Sequence, residues 1–159
     1  MKVLRFLDDN LEKMICTVTL ALMSAIIVAQ VFFRYVLNNS LSWSEELARY
    51  LFIWTIYIGI SYGVKMDKHV AVDAVYSYMP KGVKKYYAMI AYALFLLFAA
   101  AIVYYGVTVV GMQISSGQVS PAMGLPMQYV YGAPVVGMVL TVIRLVQKII
   151  EAAKAEEWE

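Results

Sequence analysis

Glu45 and Glu46 are adjacent carboxylates, and Arg49 follows them at three and four residues. Paired carboxylates are the raw material of general acid–base work. At this spacing on a helix, however, both reach the guanidinium, which predicts an ion-pair cluster. His69 is the single histidine and Cys16 the single cysteine. Metal sites and disulfide frameworks need several such residues together, so no metal, haem or other cofactor is expected. There is no glycine-rich phosphate loop and no nucleophile–base set, and the chain is not expected to be an enzyme. A net charge of +2 is too mild for a nucleic-acid partner.

The elements that must carry these residues are apolar. Of 159 residues, 62% are hydrophobic and 15% charged, against about 25% charged in soluble domains. Four runs lack Asp, Glu, Lys, Arg and His altogether: residues 14–33, 50–64, 86–112 and 125–143. About 20 helical residues cross a bilayer core of about 30 Å. The predicted fold is therefore an all-α, four-span integral membrane protein, a single domain over residues 1–159. Its spans fall at about 14–36, 43–64, 85–111 and 125–147, with short amphipathic interfacial segments. Membrane lipids are its surroundings. Asp8, Asp9 and Glu12 occupy what would be the basic region of a signal peptide, so an uncleaved first helix is expected.

Eleven of the thirteen Lys and Arg residues lie in the amino-terminal flank, the middle loop and the carboxy-terminal tail; the other two are Arg34 and Arg49. This asymmetry predicts that both termini and the middle loop are cytoplasmic. Tyr86-Tyr87 and Tyr104-Tyr105 bracket the centre of the third span, about 29 Å apart on a helix, and read as interface markers. In that frame residues 106–112 protrude into the outer interface, or the helix tilts.

Local signals refine the connections. Asn38-Asn39-Ser40 is turn-forming. Ser42, with Glu45 three residues on, reads as a capping box for a helix that starts at Trp43 and runs into the second span. Residues 70–79, ending at Pro80, suggest a short surface helix with Asp73 near its start. Small residues recur every fourth position: Thr17, Ala21, Ala25 and Ala29 in the first span, Thr55, Gly59 and Gly63 in the second, Ala133, Gly137 and Thr141 in the fourth. Such stripes let helix backbones approach closely in lipid. Pro134 should kink the fourth helix.

None of the four runs holds an ionisable residue, whereas carriers that move protons through their own helices bury titratable relays. A self-sufficient four-helix exporter would need such a carboxylate. A cofactor-free membrane anchor of a respiratory or other complex remains open on the residues alone.

Arg34-Tyr35, the block from Asn39 through Ser42, Trp43, Glu45 and Glu46 to Arg49-Tyr50, and Trp54 together resemble the small membrane subunit of tripartite ATP-independent periplasmic (TRAP) transporters. His69-Val70-Ala71-Val72-Asp73 and Ser120-Pro121-Ala122-Met123-Gly124-Leu125-Pro126, followed by Tyr129, Tyr131, Pro134 and Gly137, are similar to that family's pattern too. The likeness covers roughly residues 5–150. It implies a bacterial inner-membrane protein that partners a large membrane subunit. That subunit would take up an organic acid, such as a C4-dicarboxylate or a sialic acid, by sodium-coupled transport from a periplasmic substrate-binding protein. The small subunit would serve as static scaffold. Arg34, Asn39, Ser42, Trp43, Glu45, Glu46 and Arg49 are the expected interface or structural network, with His69, Asp73, Pro121 and Pro126 shaping loops.

Overall fold

A computed structural model describes residues 2–66 and 81–154, with side-chain surroundings for 10–66 and 86–151. It contains four helices: α1 (Lys2–Tyr35), α2 (Ser42–Lys65), α3 (Lys81–Ser116) and α4 (Gln128–Lys154). Each includes a stretch long and apolar enough to cross a membrane: Asn10–Tyr35, Ser42–Lys65, Tyr86–Ser116 and Gln128–Glu151. Among the described residues the only β pairing is an isolated bridge between Val119 and Pro126. The chain is an all-α, four-span membrane protein. The expected surface helix over 70–79, with His69 and Asp73, lies outside the described residues.

The helices stand in a row. α1 packs on α2, α2 on α4, and α4 on α3, while α1 touches neither α3 nor α4 along its backbone. The two inner helices therefore carry the core, and their most apolar stretches are 28% buried against 6% for the outer pair. In water such exposed apolar faces would be untenable; in a bilayer they meet lipid or another membrane protein. In-helix carbonyls satisfy most span hydroxyls. Thr17 donates to Lys13 O, Thr19 to Ile15 O, Ser24 to Leu20 O and Thr141 to Gly137 O, at 2.8–2.9 Å.

Small residues set the contacts within the row. Gly137 lies so close to α2 that a Cβ there would sit 2.6 Å from Tyr57 Cβ and 2.7 Å from the Tyr57 carbonyl carbon and oxygen. Gly106 faces Val135 across the α3–α4 seam, where a Cβ would come within 2.8 Å of Val135 Cγ2. Between α1 and α2, Gly59 looks onto Cys16, and the Thr55 hydroxyl meets that of Thr19 at 2.7 Å. Gly63 is half-buried; Ala21, Ala25 and Ala29 are exposed on α1. Pro134 lies within α4.

Gly106 abuts Val135, the eighth residue of α4, so residues 106–112 run beside the first turns of α4. Tyr104-Tyr105, two and one residues before Gly106, lie about 12–13 Å along from the start of α4.

Candidate functional site

The polar side chains collect at the two ends of the row. At the end bearing the α1–α2 and α3–α4 connections, the loop after α3 begins with Gly117 (φ 62°) and turns again at Gly124 (φ 64°), conformations that glycine adopts without a steric penalty. Ser120 is buried; its N–H donates to Leu125 O and its Oγ accepts from Leu125 N at 3.1 Å. Met127 N donates to Gln118 O at 2.9 Å, beside the Val119–Pro126 bridge. Pro121 is exposed on the turn, and Pro126 O accepts the Tyr129 N–H as α4 begins.

Glu46 fastens this loop to α2. Its Oε2 accepts the backbone N–H groups of Ala122 at 3.0 Å and Met123 at 2.9 Å. Its Oε1 accepts the hydroxyl of Tyr50, whose ring is buried and whose oxygen also lies 3.6 Å from Met127 Sδ. Carboxylate acceptors make the stronger class of hydrogen bond. One side chain thus ties α2 to the α3–α4 connection, and its oxygens are engaged in holding structure.

Glu45 turns the other way, to α1. Gln30 is buried, and its Nε2 donates to Glu45 Oε1 at 2.7 Å. Arg34 Nη1 stands 3.9 Å from the same oxygen, with both side chains 59% exposed, a geometry worth little in solvent. Two expectations are corrected here. The capping box does not form: α2 begins at Ser42 with Leu41 as its N-cap and no side-chain cap. Glu45 is drawn to Gln30 on the neighbouring helix, while Ser44, not Ser42, turns its hydroxyl to Leu41 O at 2.6 Å. Nor does Arg49 pair with either glutamate; it is exposed, and both carboxylates are engaged by groups on α1 and the α3–α4 loop. Asn39 donates its N–H to Phe33 O at 3.1 Å, closing the end of α1, and Trp43 is exposed.

At the opposite end lies a network that three helices share. Glu12 of α1 is buried, with 2% exposure. Its Oε1 accepts Arg144 Nε of α4 at 2.9 Å and the Ser61 hydroxyl of α2 at 2.9 Å. Arg144 Nη1 also donates to Gln147 Oε1 at 3.0 Å. The long arginine side chain reaches α1 past α2, linking two helices whose backbones do not meet. A buried pair like this adds little over an apolar substitute, yet losing one partner is costly because the other charge is stranded.

Among the described residues no group of three or more His, Cys, Asp or Glu side chains is disposed to hold a metal. The polar chemistry of this chain fastens helix to helix and helix to loop. Comparison with known proteins agrees in kind: residues 23–155 match the model of the DctQ component of tripartite ATP-independent periplasmic transporters. The chain belongs to this family. DctQ-family proteins are small permease subunits of TRAP transporters located in the inner membrane, and they are not enzymes.

Individual relatives repeat the assignment. The chain is 29% identical over 151 residues to the isethionate TRAP transporter permease protein DctMQ of Oleidesulfovibrio alaskensis, covering 91% of this chain and 24% of that one. It is 31% identical over 139 residues to the ectoine TRAP transporter small permease protein TeaB of Halomonas elongata, covering 87% of this chain and 72% of that one. It is also 31% identical over 91 residues to the C4-dicarboxylate TRAP transporter small permease protein DctQ of Vibrio cholerae, covering 57% and 39% respectively. The chain thus spans well under half of the DctMQ and Vibrio proteins.

Within this DctQ-family chain, the structure gathers Glu45 and Arg34 on one side of the connection end and Glu46 with the Pro121–Pro126 loop on the other. It leaves Arg49 and Trp43 outside both groups. Glu12, Ser61, Arg144 and Gln147 were missed in the sequence. Their signal was faint but present: Glu12 and Arg144 carry opposite charges and border the first and fourth uncharged runs at the same end of the row.

Proposed function

We propose that this chain braces a large TRAP carrier subunit within the inner membrane and does not itself handle solute or coupling ion. The observation that carries this reading is the row of helices with its broad apolar faces, fastened by polar groups at its two ends. A carrier domain that moves across the bilayer needs a frame wide enough to resist tilting, and four helices side by side supply more width than a closed bundle of four. The partner set is the large membrane subunit and a periplasmic substrate-binding protein. The transport it supports is sodium-coupled uptake of an organic acid, a C4-dicarboxylate or a sialic acid. Both termini are cytoplasmic, by the distribution of Lys and Arg, which places the Glu46-fastened loop at the periplasmic surface.

The test is reconstitution. Proteoliposomes holding the large subunit with this chain are expected to accumulate solute on addition of loaded binding protein and a sodium gradient. Vesicles with the large subunit alone are expected to fail. Sustained uptake without this chain, or solute bound by it alone, would refute the bracing role. For orientation, in a Cys16→Ser background, an impermeant maleimide applied to intact spheroplasts should label Ser116→Cys and spare Lys154→Cys. The reverse pattern would invert the topology.

A further inference from the structure

Two arginines mark the connection end of the first two spans. Arg34 directly follows the uncharged run 14–33, and Arg49 directly precedes the run 50–64. Both guanidinium groups therefore stand where apolar span gives way to polar surroundings. Between them is Glu45, whose Oε1 accepts Gln30 Nε2 at 2.7 Å and lies 3.9 Å from Arg34 Nη1. Its Oε2 and the Arg49 guanidinium bond to none of the described residues. Arg34, Glu45 and Arg49 are all exposed, so the three charges keep hydrogen-bonding capacity that the chain leaves unused.

The side chains next to them are apolar. On α2, Arg49, Phe52 and Ile56 follow Glu45 at about one, two and three helical turns and share its side of the helix. On α1, Val31 and Ile27 precede Arg34 at about one and two turns. All four apolar residues are exposed. The approach of Arg34 to Glu45 sets the two stripes side by side. Apolar surface thus begins directly beyond the charges and runs toward the centre of the spans.

That order, charge and then hydrocarbon, matches an amphiphile along its length. Guanidinium forks suit phosphate oxygens, and the exposed carboxylate between them suits a primary ammonium. Water solvates isolated surface charges, and an acidic protein segment would meet the arginines, but neither has a use for the four apolar side chains beyond. A purely anionic headgroup satisfies the arginines and leaves Glu45 facing like charge. A choline headgroup carries a cation without N–H donors. We propose that Arg34, Glu45 and Arg49 form a headgroup site for an ethanolamine phospholipid, in which the two guanidinium groups hold its phosphate and the Glu45 carboxylate its ammonium. An acyl chain lies along Ile27, Val31, Phe52 and Ile56. The site stands independently of the bracing role, and in the orientation proposed above it belongs to the outer leaflet.

The test is native mass spectrometry of the full-length chain released from micelles containing phosphatidylethanolamine, phosphatidylglycerol and phosphatidylcholine with identical acyl chains. The wild-type chain should retain the ethanolamine lipid in preference to the other two. Arg49→Gln should weaken that retention about tenfold, the scale of one charge-assisted hydrogen bond. Glu45→Gln should reduce ethanolamine-lipid retention to the level of the choline lipid while raising that of phosphatidylglycerol, opposite changes that unfolding would not give. Equal retention of the three lipids by the wild-type chain, a preference for phosphatidylglycerol, or an Arg49→Gln chain indistinguishable from wild type would overturn the site. So would an Arg49→Gln chain that keeps its lipid yet loses a large subunit in co-purification, which would assign the arginine to a protein contact.

Discussion

The contact between Gly137 and Tyr57 offers a sharp test of what holds the row together. A methyl group at 137 would lie 2.6–2.7 Å from three atoms of Tyr57, two of them backbone. Ordinary carbon–carbon contact lies near 3.5–4.0 Å, so α2 and α4 must separate by roughly 1 Å, since a carbonyl cannot rotate aside as a side-chain tip can. Overpacking of this kind costs about 1–3 kcal/mol. Gly137→Ala should therefore lower the folding equilibrium constant in a mixed-micelle denaturation series by about five- to 150-fold. Gly111 and Gly132 are also helical, and a Cβ on either meets nothing within 4 Å. Gly111→Ala and Gly132→Ala should be neutral or stabilising by up to about 1 kcal/mol, because alanine loses less backbone freedom on folding. Tryptophan fluorescence and circular dichroism against detergent composition would compare all three. A Gly137→Ala transition that coincides with those of the other two variants would refute the claim that this crossing is set by close backbone approach.

Breaking the buried ion pair should matter more than deleting it. Glu12→Leu or Arg144→Met alone is expected to destabilise by about 3–5 kcal/mol, with the double substitution Glu12→Leu/Arg144→Met costing less than either single; additive losses in this double-mutant cycle would contradict the geometry. Glu46→Ala frees the N–H groups of Ala122 and Met123, so their amide hydrogen exchange should accelerate while that of α4 core amides stays unchanged. Unaltered exchange at both would mean that the loop's own turns hold it. Arg34→Ala should shift stability by less than about 0.5 kcal/mol at physiological salt, because the pair it makes is long and exposed. A larger shift in a thermal melt would show that Arg34 has a stronger partner.

Helix number, span positions and class were legible because they depend on composition over long stretches: lipid demands apolar runs of a set length, and these stand out in any reading of the residues. The partners of individual charges were not, since the sequence reports spacing along one helix and nothing about the next. Glu45 and Arg49 satisfy an in-helix pairing rule worth a few tenths of a kcal/mol. That rule yields to Gln30 on α1 and to the amides after Ser120, which offer better geometry from other elements. The small-residue stripes show the same division. Gly137 and Ala25 look alike as positions in a repeat, yet one is pressed against Tyr57 and the other faces outward. The distinction lies in the order of helices, α1–α2–α4–α3, which no local pattern encodes.

That order also explains where the charges sit. In a closed bundle each helix has two neighbours, and apolar packing alone can fix it. In a row the outer helices have one neighbour each and are free to rock about a single seam. α1 is held against rocking at both ends: Gln30 meets Glu45 at one, and Glu12 meets Ser61 and, through the reach of Arg144, the next helix but one at the other. The α3–α4 pair is tied to α2 by Glu46 at the connection end. Polar bonds at the margins, where charge is tolerated, stiffen a sheet of helices whose centre must stay apolar. The proposed bracing role would require that stiffness, and the placement follows from the physics of the bilayer: ionisable groups are costly in the hydrocarbon and better tolerated toward the ends of the spans.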